Sequence, residues 1–383
     1  MLKVGQKFTG EVRDLASDGR GVVVHPQGRT FFVPGVWLGE AGEFRVTGLK
    51  GRIGFAELIS ADEEARHLSR VTPACEHHGF SENTCGGCPW QFMAYEQQLA
   101  AKQARVQKAM KRLACEDKVQ PILASPQQLG YRNRAQLKTD GRKLGYMAAN
   151  SNQLVDVGAC PVLSQHNQQT LQHLRALLPN AEWRPTAKQK WTSLDIDESV
   201  SADTASVDSR LPFQQANTQQ NAVIRSWLAE GLSRYAAGKS VLELFCGSGN
   251  LTEVIAASCA QSTLAVEAVE TALEGLKARK LQNVSTLACN LFSEIDAEKL
   301  LPHVKTAEIL VLDPPREGLK VSKPLFVKKS VIQQVFYISC DLATFSRDLG
   351  VFMENGFKVV EVQPLDMSPQ TPHIELMAVL SKR

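Results

Sequence analysis

The strongest constraint on the fold is a set of short apolar runs in the C-terminal half of the chain, each ending in a polar turn. Residues 335–338 precede Cys340, and residues 309–312 precede the turn Asp313-Pro-Pro-Arg316. Such apolar, β-rich runs are typical of buried strands in a parallel sheet. Because open α/β sheets place their ligands at the carboxyl ends of strands, the sequence predicts an α/β fold with its functional groups at that edge.

An earlier segment, residues 240–252, predicts a strand, a glycine turn and a helix. Gly247 and Gly249 permit a tight turn and the close approach of a ligand to the backbone. Glu267 ends the next predicted strand, where a carboxylate can hold ribose hydroxyls. A dinucleotide-binding loop would have a third phosphate-facing glycine, whereas this loop continues with Asn250. The pattern therefore favours a Rossmann-like domain of the S-adenosylmethionine-binding type, whose ligand has no pyrophosphate.

Two residues at the predicted strand ends are candidates for catalysis. A thiol at a strand tip beside a helix N-terminus, as expected for Cys340, can be stabilised as the nucleophilic thiolate. The alternative for Cys340 is a small, buried apolar residue. Glu375 stands at the start of the last apolar run, where it is either a solvated strand end or a group that faces the site.

Residues 1–60 contain short β-type runs separated by Gly, Asp and Pro, which predicts a small barrel. Barrels of this kind often bind oligonucleotides, and the alternative role is a structural cap. The formal net charge of +3 over 383 residues does not by itself indicate nucleic-acid binding. Any such surface must therefore be local.

Four cysteines are candidates for one metal centre. Cys85-Gly-Gly-Cys88 can bring two thiols together because glycine lets the backbone curl, and Cys75 precedes them on a predicted loop. Cys160 is a distant fourth candidate. The spacing does not separate zinc from an iron–sulfur cluster. A redox-active Cys-x-x-Cys pair is less favoured because no βαβ pattern surrounds it.

The N-terminal sequence lacks the apolar core of a signal peptide, and no apolar run approaches the length of a membrane span. We therefore expect a cytoplasmic protein. In that setting the nine cysteines are poor candidates for disulfides and better candidates for metal binding or catalysis.

Basic residues interleave with β-type residues after Tyr131. This pattern suits contacts with RNA phosphates and bases, or alternatively an exposed amphipathic hairpin. The basic residues are Arg132, Arg134, Lys138, Arg142 and Lys143. Between residues 184 and 210 the sequence becomes polar. We therefore predict three domains, with the barrel at 1–60, a central domain at 61–210 and the Rossmann-like domain at 211–383.

Taken together, these motifs resemble the RNA uracil-C5 methyltransferase family, in the branch that has an N-terminal TRAM domain and a four-iron cluster. The resemblance covers nearly the whole chain, and the motifs occur in the family's order. They are Phe213-x-Gln215-x-Asn217, Leu244-Phe-Cys-Gly-x-Gly-Asn250, Asp313-Pro-Pro-Arg-x-Gly-Leu319, Tyr337-x-Ser-Cys340 and His373-x-Glu375. The cysteine motif and Tyr131-Arg-Asn-Arg134 also match.

The resemblance implies a role for each candidate residue. It implies that Cys340 is the nucleophile and Glu375 the base. It implies that S-adenosylmethionine contacts Gln215, Phe245, Asn250, Glu267, Asn290 and Asp313. It implies that a [4Fe–4S] cluster in a central RNA-binding domain is held by Cys75, Cys85, Cys88 and Cys160.

The chain departs from the family's pattern in several places. Asp341-Leu342 stands where the family usually has Asn-Pro, and Ser368 stands where it usually has an aromatic residue. The spacing from Cys75 to Cys85 is longer than expected. The segment between Cys160 and Phe213 is short, which suggests a reduced RNA-binding surface.

The expected reaction uses covalent catalysis. Addition of the Cys340 thiolate to uracil C6 would make C5 nucleophilic, and Glu375 would later remove the C5 proton so that the thiolate could leave. The target base would be flipped out of its stack. We expect a uridine of 23S rRNA as substrate; the alternatives are the T-loop uridine of tRNA or a non-catalytic RNA-binding protein. No obligate protein partner is evident.

Overall fold

The computed structural model describes residues 2–149, 151–258 and 260–382, so Met1, Asn150, Cys259 and Arg383 lie outside the described residues. The strands are β1 (Lys7–Leu15), β2 (Gly21–Val24), β3 (Thr30–Val33), β4 (Ala41–Lys50), β5 (Ile53–Ala61), β6 (Arg134–Thr139), β7 (Leu144–Met147), β8 (Leu154–Asp156), β9 (Thr192–Asp197), β10 (Ser240–Leu244), β11 (Ser262–Glu267), β12 (Val284–Ala288), β13 (Ile309–Leu312), β14 (Gln334–Ser339), β15 (Phe357–Leu365) and β16 (Glu375–Lys382). The α-helices are α1 (Tyr95–Lys111), α2 (Gln165–Ala176), α3 (Thr218–Tyr235), α4 (Thr252–Ala256), α5 (Glu270–Ala278), α6 (Glu294–Ala297) and α7 (Leu342–Glu354). Short 3₁₀ turns lie at Glu63–Ala65, Glu116–Lys118, Glu298–Leu300, His303–Lys305 and Lys323–Phe326.

The chain divides into two compact units. The first unit comprises Met1–Ala101, Gln127–Leu211 and Ser368–His373. The second unit comprises Lys102–Pro126, Pro212–Met367 and Ile374–Arg383. The three-domain boundaries expected from the sequence stay a prediction.

The N-terminal part of the first unit is a closed barrel, in which the strands follow the order β1, β2, β3, β5, β4. Alternate side chains point inward, so that Phe8, Val12, Phe31 and Val33 are buried. β3 and β5 pair in parallel. Gly54 of β5 leaves room for the Phe31 ring, since a Cβ atom there would lie 2.3 Å from Cε1 of that ring. The small barrel predicted from the sequence is confirmed.

The rest of the first unit contains a four-stranded antiparallel sheet in the order β8, β7, β6, β9. Helix α2 begins after Ser164, whose hydroxyl accepts a hydrogen bond from the Asn167 N–H. The helix contributes Leu171 and Leu174 to a core that also contains Leu137. This core is separate from the core of the barrel.

The second unit is built on a seven-stranded sheet in the order β12, β11, β10, β13, β14, β16, β15. The first five strands are parallel, and β16 pairs antiparallel with both β14 and β15. Every residue of β13 and β14 is buried, because helices cover both faces of a parallel sheet. The α/β methyltransferase-like architecture expected from the apolar runs is confirmed. No helix in the described part of the chain is long and apolar enough to cross a membrane.

Candidate active site

Most predicted site residues of the second unit lie at one edge of its sheet. The parallel strands β10, β11, β12, β13 and β14 end at this edge, because parallel strands share their direction. The residues at or just beyond their carboxyl ends are Phe245, Glu267, Asn290, Asp313 and Cys340. This is the edge at which open α/β sheets bind ligands.

Strand β16 brings Glu375 to the same edge. Because β16 runs antiparallel to β14, its first residue lies beside the last residues of β14. Ser339 pairs with Leu376, so Cys340 and Glu375 are the next residues outward on neighbouring strands. Glu375 is 4% exposed, and Cys340 is partly buried. The antiparallel register therefore brings together the thiol and the carboxyl group that were singled out from the sequence.

The ionisable groups at this edge strongly affect one another. Burial, and then nearby Glu375 and Asp313, raise the pKa of the Cys340 thiol to about 11, and Arg316 opposes them. Burial and then Asp313 raise the pKa of Glu375 well above its ordinary range, and Arg316 again opposes. Burial raises the pKa of Asp313 to about 7. The thiol is therefore mostly protonated at neutral pH, and Glu375 holds its proton more tightly than an ordinary glutamate does.

The raised pKa of Cys340 differs from the sequence-based expectation of a thiolate held by a helix N-terminus. The reason lies in the next residue. Asp341 is the N-cap of α7, and its Oδ1 accepts hydrogen bonds from the N–H groups of Ala343 (3.0 Å) and Thr344 (2.9 Å). The helix N-terminus therefore stabilises the Asp341 carboxylate, and burial dominates at the thiol.

The loop after β10 has the strained backbone of a ligand cradle. Phe245 has φ of 62°, Gly247 of 53° and Gly249 of 96°. A Cβ atom built on Gly247 would have nothing within 4 Å, so this glycine faces open space. The Gly247 N–H donates to Oε2 of Glu267 (3.1 Å), which links the loop to the end of β11. Oε1 of Glu267 accepts from the N–H of Val269 (3.0 Å).

The other predicted cofactor contacts are arranged in different ways. The Asn250 side chain exchanges two hydrogen bonds with the Asn221 side chain (2.9 and 3.0 Å), so it is tied to α3. Asn290 is exposed, and its Oδ1 accepts from the Phe292 N–H (3.0 Å). Gln215 is partly buried in the segment before α3. Their roles as cofactor contacts stay a prediction.

Two charged residues near this edge were not assigned a role from the sequence. Arg316 acts on the pKa values of both Cys340 and Glu375. Glu243, in β10, is 1% exposed, and burial raises its pKa to about 8. Its Oε2 has no hydrogen-bond partner among the described residues. The signal for Glu243 was present in the sequence, as a single acidic residue inside an apolar run.

The four cysteines of the first unit act on one another electrostatically. Burial raises the pKa of Cys88 to about 12 and that of Cys85 to about 11, and nearby Cys160 contributes to both increases. Burial also raises the pKa of Cys75, with a further contribution from Cys160. Within the described residues, however, no group of three or more His, Cys, Asp or Glu side chains is arranged to hold a metal ion. The metal site predicted from the spacing is therefore not confirmed.

Two buried polar atoms near these cysteines lack hydrogen-bond partners among the described residues. Oε1 of Gln91 accepts from the Cys75 N–H (2.7 Å), but its Nε2 has no partner. The Tyr146 hydroxyl has no partner that meets ordinary hydrogen-bond geometry, and burial and then Cys160 raise its pKa. Unsatisfied buried donors indicate a place for an acceptor. Together with the four thiols, they fit a sulfur-rich anionic group.

The predicted RNA-contacting residues lie on or beside the four-stranded sheet. The Arg132 Nε donates to the Arg134 carbonyl (3.0 Å), and Arg132 lowers the pKa of Cys85 and Cys88 against the effect of burial. The Lys138 Nζ donates to Oγ of Ser193 (2.7 Å). Arg142 and Lys143 are exposed. Whether this surface or the barrel binds RNA stays a prediction.

Comparisons with known proteins agree with this architecture. The model of a family described as tRNA (Uracil-5-)-methyltransferase matches residues 204–383. An RNA methyltransferase of Nitrosomonas europaea, described as uncharacterized, is 40% identical over 98% of this chain and 97% of its own. A 23S rRNA (uracil(1939)-C(5))-methyltransferase of Photorhabdus laumondii is 29% identical over 96% of this chain and 95% of its own.

A solved structure shares the fold over nearly the full length. The tRNA (uracil-54, C5)-methyltransferase of Pyrococcus abyssi, in complex with S-adenosyl-L-homocysteine, matches with a TM-score of 0.70 and 20% identity. The match covers 97% of this chain and all of that one.

Proposed function

Because the chain belongs to the RNA uracil-5-methyltransferase family, we propose that it methylates C5 of a uridine in 23S rRNA, with Cys340 as nucleophile and Glu375 as base. The observation that carries this proposal is the β14–β16 register, which sets a thiol and a buried carboxyl side by side at the ligand edge of the sheet. Family membership does not fit the alternative of a non-catalytic RNA-binding protein.

The chemistry needs both groups. Uracil C5 is a poor nucleophile, so the Cys340 sulfur adds to C6 and the electron pair of the C5–C6 double bond moves towards C5 and O4. When bound, S-adenosylmethionine would supply the methyl group: the S–CH3 bond would break as C5 takes the methyl carbon, and S-adenosylhomocysteine would leave with the electron pair of that bond. Glu375 then accepts the C5 proton, and the C6–S bond breaks as the double bond re-forms. The proton ends on Glu375 and the electron pair on sulfur.

The protonation states of the ionisable groups in the site determine how the reaction begins. The Cys340 thiol must lose its proton before it attacks, and Glu375 must be a carboxylate when the C5 proton leaves. Burial and the nearby carboxyl groups raise the pKa of both Cys340 and Glu375, so ionisation is coupled among the thiol and the two carboxyl groups. Arg316 is the charged group that favours their anionic forms.

The same edge suits S-adenosylmethionine. The open space above Gly247 would admit the ligand against the backbone. The Glu267 carboxylate at the end of β11 would hold ribose hydroxyls. Phe245, with its ring 5.8 Å from that of Phe292, would supply apolar contact. We propose Gln215, Asn250, Asn290 and Asp313 as further contacts.

We further propose that Cys75, Cys85, Cys88 and Cys160 hold a [4Fe–4S] cluster. The electrostatic effect of Cys160 on the other three thiols and the unsatisfied Nε2 of Gln91 support this assignment. Metal coordination would remove the cost of placing several thiolates together. Its role would be structural, since it would tie residues 75–88 to the distant Cys160.

The choice of 23S rRNA rests on the relatives of Photorhabdus laumondii and Pseudomonas syringae, both 29% identical and both named as 23S rRNA (uracil(1939)-C(5))-methyltransferases. The test is to map 5-methyluridine in rRNA and tRNA from cells with and without the gene. Loss of one 23S rRNA modification is expected. Loss of the T-loop modification in tRNA alone would establish the alternative substrate.

A further inference from the structure

Helix α7, which follows the proposed nucleophile, holds the turn that follows β13. The turn is closed by a hydrogen bond from the Gly318 N–H to the Pro315 carbonyl (2.8 Å). Oγ1 of Thr344, in the first turn of α7, donates to the carbonyl of Arg316 (3.0 Å). The backbone of Arg316 is therefore fixed from the helix that begins beside Cys340.

Asp348, one turn further along α7, is the centre of this attachment. It is 2% exposed, and its Oδ2 accepts from the Leu319 N–H (2.7 Å) and from the Tyr337 hydroxyl (2.6 Å). Its Oδ1 accepts from Nε of Arg347 (2.9 Å), while Nη2 of Arg347 donates to the Glu317 carbonyl (2.9 Å). One buried carboxylate thus joins β14, α7 and the turn.

Helix α7 packs so closely against the turn that there is no room for a side chain at Gly318. Gly318 has φ of 68°, and a Cβ atom built on it would lie 2.5 Å from Oδ2 of Asp348 and 2.6 Å from Nη2 of Arg347. Only glycine combines this backbone conformation with so close an approach. The attachment is therefore specific, and the turn has one position relative to α7.

The turn carries Arg316 to the reacting groups. The charged and titratable groups that act on Cys340 are Glu375 from β16, Asp313 from the end of β13, and Arg316 from this turn. Arg316 is exposed, so its own packing does not fix it. The hydrogen bond from Thr344 to its carbonyl and the anchoring of Leu319 to Asp348 fix the backbone from which the side chain starts.

We propose that Asp348 is a positioning residue for Arg316: it locks the turn that begins after β13, so that Arg316 stays near the end of β14 and the start of α7, where Cys340 lies. This inference rests on the proposed function, because the placement matters only if Cys340 reacts as a thiolate. Replacement of the carboxylate should move the cation away and make the thiol harder to ionise. The effect should appear without RNA or methyl donor.

The test is the rate at which iodoacetamide alkylates Cys340 between pH 7 and 10, followed by mass spectrometry of the peptide that contains it. The variants are Asp348→Asn, Arg316→Met and the double variant. Each single variant should alkylate about 3- to 10-fold more slowly at pH 9, which corresponds to a rise of about half to one pKa unit. The double variant should be no slower than Arg316→Met, because Asp348 acts through Arg316.

The proposal would be overturned if Asp348→Asn slowed alkylation by the same factor in the wild type and in Arg316→Met. It would also be overturned if Asp348→Asn left the alkylation rate of the wild type unchanged. If Asp348→Asn does not fold, Thr344→Val replaces it, since valine keeps the shape and removes the hydrogen bond to the Arg316 carbonyl. Ser346→Ala is the matched control: its hydroxyl bonds to the Leu342 carbonyl within α7, so its alkylation rate should equal that of the wild type.

The methylation assay separates this proposal from the proposed function. Retained methylation by Cys340→Ala would refute the role of Cys340 as nucleophile. The alkylation rates would still report whether Asp348 controls the cation beside that thiol.

Discussion

Two regions of the molecule contain partly buried thiols, and they differ in what surrounds those thiols. In the first unit, Cys160 acts on Cys75, Cys85 and Cys88, and Arg132 is the cation near the last two. In the second unit, Cys340 has two carboxyl groups and Arg316 as its neighbours. A set of thiols alone suits metal coordination, whereas a thiol beside proton acceptors suits nucleophilic catalysis. The neighbouring groups therefore distinguish metal coordination from nucleophilic catalysis, although burial raises the pKa of the thiols in both regions.

The largest effect should come from Cys340→Ala. Without a nucleophile, C5 is not activated, so methylation should fall by at least about 10⁴-fold and no RNA–protein adduct should form. The measurement is incorporation of labelled methyl groups, together with denaturing gel analysis of the adduct. Cys115→Ala is the matched control, because burial also raises the pKa of that buried thiol of the second unit to about 11. Normal turnover by Cys340→Ala would contradict the assignment.

Glu375→Gln should lower turnover by about 10² to 10⁴-fold, the usual contribution of a positioned base. Because the amide cannot accept the C5 proton, the methylated adduct should accumulate. Gel analysis of RNA-bound protein would measure it. Glu354→Gln, at the exposed end of α7, is the control and should behave as wild type. Free RNA with normal turnover in Glu375→Gln would mean that another group is the base.

Substitutions among Cys75, Cys85, Cys88 and Cys160 should change the metal content of the protein. Anaerobically purified protein should be brown, with iron and sulfide in about four-to-four ratio. Cys88→Ser should lose most of this iron, whereas Cys115→Ser should keep it. A colourless preparation with one zinc per chain would refute the cluster while keeping a structural metal role.

The smallest effect concerns stability and pH. Burial raises the folded-state pKa of Asp313 to about 7 from an ordinary value of 3.8. The contribution of the protonated Asp313 carboxyl group to the free energy of unfolding is therefore complete below about pH 4, and it is lost as the pH rises through 7. Asp313→Asn does not ionise, so its melting temperature relative to wild type should rise by a few degrees between pH 5 and 8.

The control is Asp296→Asn, whose melting temperature relative to wild type should change with pH in the opposite direction. A hydrogen bond from Lys299 lowers the pKa of Asp296. The stability from this carboxylate is present above its ordinary pKa and is lost as the pH falls. Asp296→Asn should therefore show its deficit at neutral pH and not in acid. A melting temperature of Asp313→Asn that is parallel to wild type at every pH would show that Asp313 is ionised in the folded protein.

The two regions also differ in how far the sequence could predict them. The runs at 309–312 and 335–338 are apolar throughout because helices cover both faces of the sheet, and they predicted β13 and β14 directly. The placement of polar residues after these strands then predicted the ligand edge. In the cysteine region no periodicity is available, since the thiols lie on irregular segments. The spacing of the cysteines along the chain therefore identified candidate ligands but did not predict how they are arranged in space.

Some features of the active site also could not be read from the sequence. The adjacency of Cys340 and Glu375 depends on β16 pairing antiparallel with β14, which is a property of the register. The sequence did not show that the side chain of Asp341 would accept the hydrogen bonds of the first N–H groups of α7, next to Cys340. The attachment of Asp348 to Leu319 and Tyr337 joins residues that no local pattern connects.

The strand order has a consequence for biosynthesis. β16 is translated after β15 and yet lies between β14 and β15 in the sheet. A direct β14–β15 pairing formed before β16 leaves the ribosome would have to be broken when β16 inserts between them. Since Glu375 is the first residue of β16, the nascent chain acquires its thiol before the neighbouring carboxyl group. A chain released early would carry an unprotected strand edge in the centre of its sheet, which is a template for aggregation.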